Sequence, residues 1–192
     1  MDIQPELSDR LARDLDGAFE ELVHGHQRLV FGLALRVVGD RADAEEVAQD
    51  TFARAYAALA GYPAERVAAM RLRPWLARIA LNLARNRLRR RPPPARPLTD
   101  GDGQPLTVAA PAAAEPAQVA ERGQDRELLA ALLAALPRAW REAVVLRHVE
   151  GLPYDEVAEV LGRPVGTVKT HVHRGVRQLR VELERREERV PR

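Results

Sequence analysis

Lys169, Thr170, His173, Arg174 and Arg177 are side chains that neutralise phosphate or hydrogen-bond a base edge, and no Asp or Glu falls between Glu159 and Glu182. That pattern suits a helix face that enters the major groove of DNA. A merely solvated amphipathic hairpin usually mixes Glu with Lys and Arg at pairing distance, whereas a face meeting phosphates must exclude carboxylates to avoid repulsion.

The elements that must hold these residues are a helix, a tight turn and a second helix over Tyr154 to Arg180. In the first helix Val157, Val160 and Leu161 form one apolar stripe, and Ala158 is small enough to admit a neighbouring helix. Gly162 can take the left-handed conformation that ends a helix, and Pro164 suits the entrance of the next. In the second helix Val165, Val168, Val172, Val176 and Leu179 recur at spacings of three and four. The spacing predicts a core stripe that leaves the basic face free.

With 192 residues and 4% aromatic content, the chain fits two small helical domains better than one large core. It has no Cys, which excludes disulfides, thiolate metal sites and thiol switches. His24 and His26, like His171 and His173, are two apart and so point to different faces of a helix, which argues against metal binding. No apolar run approaches the roughly 20 residues of a membrane span, and the amino terminus has no signal-peptide core. A cytosolic protein without cofactor is expected. The net charge of +2 hides a polarised chain: residues 1–60 hold twelve acids against six arginines, and residues 71–99 hold nine arginines and no acid. Such segregation predicts an acidic surface for protein and a basic one for nucleic acid.

Residues 11–91 read as an all-helical unit. A first helix spans about Gly17 to Val38, a second that Asp43 can cap runs to about Ala60, and an irregular stretch covers Gly61 to Arg71. A third helix around Trp75 ends in Arg89-Arg90-Arg91. Residues 92–123 contain seven of the fourteen prolines and almost no large apolar side chain, so a flexible linker is expected there. As a coil of about 30 residues it would span roughly 30 Å, or near 100 Å pulled straight, enough for two DNA sites about 70 Å apart. Residues 124–186 form the second helical unit, with the helix-turn-helix over about 154–173. Trp140, among Leu and Val at helical spacing, is expected to be a core anchor.

Three motifs in order resemble the extracytoplasmic-function sigma factors, the small two-domain branch of the bacterial sigma-70 family. The first is Asp43-Ala44-Glu45-Glu46-Val47-Ala48-Gln49-Asp50-Thr51-Phe52. The second runs from Trp75-Leu76-Ala77-Arg78-Ile79-Ala80-Leu81-Asn82 to Arg89-Arg90-Arg91. The third is Leu136-Pro137, Arg141-Glu142, Tyr154 to Ala158 and Gly166-Thr167-Val168-Lys169. The resemblance implies an all-α fold of two small helical domains, sigma regions 2 and 4, joined by a Pro/Ala-rich linker. It implies a non-enzymatic factor that binds core RNA polymerase through the β′ clamp helices and the β flap. It also implies recognition of the −10 and −35 promoter elements, and regulation from outside by an anti-sigma protein that could hold the chain at the membrane. Ahead of the first helix only Met1 to Asp16 is available, so no built-in inhibitory domain is expected.

Carried over residue by residue, the resemblance puts Asp43, Glu45, Glu46, Gln49, Asp50 and Phe52 on the polymerase-binding helix. Glu46, Gln49 and Asp50 fall at spacings that share a face, with Val47, Thr51 and Ala55 on another. Promoter melting falls to Tyr62, Arg71, Arg73, Trp75, Arg78, Asn82 and Arg85: the arginines neutralise backbone and Asn82 offers a donor and an acceptor to a base. Tyr62 is the one aromatic in the loop where the family captures a flipped base, and Trp75 fits a packing stripe with Leu72, Leu76 and Ile79. Lys169, Thr170, His173 and Arg174 face the −35 element, Arg174 as a bidentate reader of guanine, while Thr167 and Arg177 position the helix on phosphates. The sequence departs from the family where Pro153 replaces a capping Ser, which removes the capping box with Glu156. The competing reading is a free-standing helix-turn-helix regulator of the LuxR type, but the amino-terminal half shows no strand alternation for a receiver or ligand domain. An enzyme is disfavoured because the sequence has no glycine-rich phosphate loop, nucleophile constellation or metal cluster.

Overall fold

In the computed structural model, which describes residues 4–90 and 128–187, every regular element is helical. The first half contains α1 (Gln4–Arg13), α2 (Leu15–Val38), α3 (Arg41–Ala60), α4 (Ala64–Ala68) and α5 (Leu72–Arg90). The second contains α6 (residues 128–135), α7 (Arg138–Val144) running into a π-helical turn at Val145–Val149, α8 (Tyr154–Leu161) and α9 (Val165–Glu187). The linker expected over 92–123 lies outside the described residues.

Caps divide the first half. Asp14 has extended backbone and accepts from the Gly17 amide at 3.0 Å, opening α2, and Gly39 closes it at φ 77° with its N–H on the Leu35 carbonyl. Asp40, not Asp43, caps α3: its carboxylate accepts from the Asp43 amide at 2.9 Å. The cap must be the last residue outside helical φ/ψ, and Asp43 already lies inside the first turn. Leu22, Val30 and Leu33 of α2 are buried against Ala44, Val47, Thr51 and Ala55 of α3 and against Leu72, Leu76, Ala80 and Leu81 of α5. Alanines at the contacts let the three helices approach closely. Two elements differ from expectation. The stretch Gly61 to Arg71 contains the short helix α4, and a further helix, α1, precedes the one expected from about Gly17. Leu7 and Leu11 of α1 are buried, and Ser8 donates to the Ala68 carbonyl at 3.0 Å, tying α1 to the end of α4.

In the second half, Gly162 ends α8 at φ 62° and opens the tight turn, as its position predicts. Pro153 heads α8 without any side-chain cap, which leaves Glu156 free for another partner. The core stripe of α9 is Val168, Val172, Gly175 and Leu179, whereas Val165 and Val176 are 39% and 36% exposed. At Gly175 a Cβ would stand 2.6 Å from Cγ2 of Val144 and 3.4 Å from Cβ of half-buried Trp140. A glycine therefore occupies the closest approach of α9 to α7, and Val176 is displaced to the edge. The buried residues of both halves form one continuous cluster, with α5 lying against α8.

Candidate nucleic-acid and protein interfaces

Helix α9 brings Lys169, Thr170, His173, Arg174 and Arg177 to solvent together, with Thr167 half-buried at their edge. Among the described residues none of Lys169, His173, Arg174 and Arg177 has a carboxylate partner. The Thr170 hydroxyl donates to the Gly166 carbonyl at 3.0 Å, so its methyl group is what it offers outward. The ammonium of Lys169 lies 5.7 Å from the Tyr154 ring, a cation–π contact that tethers it across the turn. His171 is half-buried, and burial, with Arg163 and Arg174 nearby, lowers its pKa. It therefore adds no charge near neutral pH to the face that His173 shares.

The arginines expected on the melting helix divide into two groups. Arg78 and Asn82 are exposed on α5, whereas Arg71, Arg73 and Arg85 are engaged by the second half of the chain. Arg71 reaches Glu156 at 2.7 Å, Asp155 at 3.1 Å and Glu159 at 3.5 Å, all on α8. Arg85 forks onto Glu142 at 3.0 and 2.6 Å, and Arg138 meets the same carboxylate at 2.8 Å. Glu142 is 4% exposed. Burial alone would push its pKa up, but the hydrogen bonds and charges of Arg85 and Arg138 hold it below the usual range. Arg73 donates to the backbone carbonyl of Glu150, whose carboxylate takes Arg36 at 3.2 Å. Here burial wins and raises the Glu150 pKa, although Arg36 and Arg73 oppose it. The difference between the two follows from geometry: a fork of two bonds plus a second guanidinium compensates burial better than one pair at 3.2 Å.

Trp75 is half-buried against the core, as its stripe predicts. Tyr62 also packs there, and the Arg66 guanidinium covers its ring at 3.6 Å. On α3 the residues expected to bind polymerase form two rows. Asp43 and Glu46 clasp Arg87 of α5 at 2.7 and 2.6 Å and, with Asp50, line a cleft of about 460 Å³ that Asn86 and Arg90 close. Glu45, Gln49 and Phe52 line a more apolar groove with Val23 and Phe31 of α2, where Glu45 also pairs with Arg41 at 3.0 Å. Gln49 thus sits apart from Glu46 and Asp50, because α2 and α5 flank α3 on opposite sides of its exposed surface. Val47, Thr51 and Ala55 are buried as expected.

His24 is exposed and His26 buried, and among the described residues no acid, His or Cys cluster could hold a metal. Among the same residues no helix is long and apolar enough to cross a membrane. Sequence reasoning missed the carboxylates that link the two halves: Asp155, Glu156 and Glu159 on Arg71, Glu142 on Arg85, and Glu150 on Arg36. The one available signal was Glu156, left without a capping partner by Pro153.

Two family descriptions match the chain: Sigma-70 region 2 over residues 22–92 and Sigma-70, region 4 over residues 126–179. The RNA polymerase sigma-H factor of Pseudomonas aeruginosa is 34% identical over 175 residues, covering 88% of each chain. The ECF RNA polymerase sigma factor SigW of Bacillus subtilis is 31% identical, covering 86% of this chain and 89% of its own. Among solved structures, CnrH in complex with the cytosolic domain of CnrY superposes with a TM-score of 0.68 at 27% identity, over 95% of this chain and 98% of the other. The sigma factor RpoE bound to the anti-sigma factor NepR, from Bartonella quintana, shares the fold with a TM-score of 0.65 at 24% identity, over 86% of this chain and 96% of the other.

Proposed function

The chain belongs to the extracytoplasmic-function branch of the sigma-70 family of RNA polymerase sigma factors, and we propose that it binds core polymerase and directs it to promoters carrying both a −10 and a −35 element. Such a factor is not an enzyme; it acts by binding and by positioning.

The reading is carried by the row on α9: Lys169, Arg174 and Arg177, exposed beside His173 and without a carboxylate partner among the described residues, on a helix fixed by the Gly162 turn and the Gly175 contact. Phosphate neutralisation by that row supplies affinity, and Arg174 and Lys169 are placed to select bases of the −35 element. Arg71, Arg73, Trp75, Arg78, Asn82 and Arg85 are assigned to the melted −10 strand, with Tyr62 at the mouth of the base-capturing loop. The two rows of α3, the acidic Asp43, Glu46 and Asp50 on one side and Glu45, Gln49 and Phe52 on the other, are assigned to the clamp helices of β′, and the second half of the chain to the β flap. An anti-sigma protein is the proposed external regulator, a role supported by the fold shared with complexes of that kind. The proposed site of action is the cytoplasm.

The test is transcription by sigma-free bacterial core polymerase supplied with the purified chain and a library of fragments from its own genome, alongside Glu46→Lys and Arg174→Ala. The expected result is a set of transcripts that share a two-element promoter and vanish with either variant. Sequence-specific DNA binding by the chain alone, with no polymerase association and no transcripts, would replace this reading with a free-standing regulator.

A further inference from the structure

The sequence carries 30 Lys and Arg side chains, and only one of them, Lys169, is a lysine. It stands exposed on the face assigned to the −35 element, beside Arg174 and Arg177. An ammonium on a four-carbon stem is the less selective kind of cation: it has no planar fork, and its many rotamers let it meet a phosphate as readily as a base. The structure restricts that freedom. The Lys169 Nζ lies 5.7 Å from the centre of the Tyr154 ring, within the range of a cation–π contact, and Tyr154 opens α8 on the far side of the turn. We infer that Tyr154 is a positioning residue for base selection, braced by Arg147: its ring holds the Lys169 ammonium at one place on the α9 face, so that Lys169 reads one base pair of the −35 element instead of ranging over phosphates. The inference rests on the sigma-factor reading above.

The ring can serve as a fixed point because it is itself held. In the π-helical turn the Glu150 amide donates to the Val145 carbonyl and the Leu152 amide to the Leu146 carbonyl, both at 2.9 Å. Such turns recur at functional sites, and this one delivers Arg147 to the start of α8. Arg147 donates from Nη1 to the carbonyl of the fully buried Leu152 at 3.0 Å and sets its guanidinium carbon 4.7 Å from the Tyr154 ring centre. The ring is half-buried against the core. It thus meets one cation fixed to the scaffold and one on the reading helix, and among the described residues no carboxylate competes with it for Lys169. A cation–π contact at an exposed site shifts an equilibrium by a factor of about two to five. That is enough to favour one placement of a mobile side chain and weak enough to give way to a base.

Because the sequence has one lysine, protein grown on isotope-labelled lysine gives a single side-chain ε-methylene signal in nuclear magnetic resonance, that of Lys169. It would be recorded on the full chain without polymerase or DNA, so this readout is independent of whether the chain acts as a sigma factor. In the parent the signal is expected upfield of free lysine, displaced by the ring current of Tyr154. Tyr154→Leu should return it to the free-lysine position and Arg147→Met should move it part of the way. Tyr154→Phe, which keeps the ring and drops the hydroxyl, should leave it upfield. Each variant would then be assembled with core polymerase and offered duplexes randomised over the −35 region, the bound sequences being counted. Lys169→Ala should flatten the preference at one base pair. Tyr154→Leu should lower the preference at that same pair by about two- to fivefold and spare the pair read by Arg174, and Tyr154→Phe should restore it. A parent signal at the free-lysine position would overturn the inference. So would a Tyr154→Leu chain that selects as sharply as the parent, or one that loses preference equally at every position, which marks a merely structural role. A parent that selects no sequence at all would remove the sigma-factor reading, and the base-selection role with it, even with the signal upfield.

Discussion

His26 is buried on α2 and donates from Nδ1 to the Leu22 carbonyl at 2.9 Å; burial, with Arg73 acting in the same direction, lowers its pKa against the raising effect of that bond. A group held neutral in the fold but free to bind a proton when unfolded makes stability fall as pH drops from about 6.5 through its folded-state value. The melting temperature should therefore be lower at pH 5.5 than at pH 7.5, and His26→Gln should flatten that dependence; calorimetry across the range checks it. Glu142 acts later and in the same sense: its depressed pKa contributes stability that is lost as pH falls below the ordinary carboxylate range. Glu150, with a raised pKa, acts in the opposite sense. On the reading face, Arg174→Ala should cost about 1 to 3 kcal/mol of discrimination at one −35 base pair, measured by anisotropy on a promoter recovered from the transcription experiment. The exposure of Arg174 was legible because one-signed charge at helical spacing has few other uses. The engagement of Arg71 and Arg85 was not, since an arginine that binds phosphate and one that binds carboxylate are the same letter.

Helix boundaries and faces carry their own predictions. Asp40→Ala should cost about 1 kcal/mol in urea denaturation, the usual worth of an N-cap, while Asp43→Ala should leave the cap intact and remove the pair with Arg87. Gly175→Ala should cost about 1 to 3 kcal/mol through overpacking against Val144, whereas Val176→Ala, at an exposed position, should stay within about 0.5 kcal/mol. Both contrasts mark where pattern reading reached its limit. It found α2, α3, α5, α8 and α9, since caps, glycines and apolar spacing act locally. It places the cap at Asp43 and counts Val176 in the core stripe because a cap is defined by backbone geometry and a close helix contact by a missing side chain, neither of which a hydrophobic pattern displays. The five-residue helix α4 is shorter than any period that could announce it.

Across the whole molecule, the packing of the two halves was beyond local signals: Arg85 and Glu142 are 57 residues apart, with the proline-rich stretch between them. Arg85→Ala leaves the buried Glu142 with Arg138 alone and should cost about 3 to 5 kcal/mol in urea denaturation, whereas Arg78→Ala, at an exposed position, should stay within about 0.5 kcal/mol. The placement of the restraint also bears on heredity. The carboxylates that grip Arg71 belong to α8, while the side chains assigned to base selection belong to α9. Selection can therefore loosen or tighten the packing of the two halves by editing one helix without touching the side chains assigned to base selection, and duplicated copies can diverge in stability before they diverge in targets. Added positive charge on α5 is not free in the same way, because each new arginine would strengthen the grip on the promoter strand and the grip of the chain on itself.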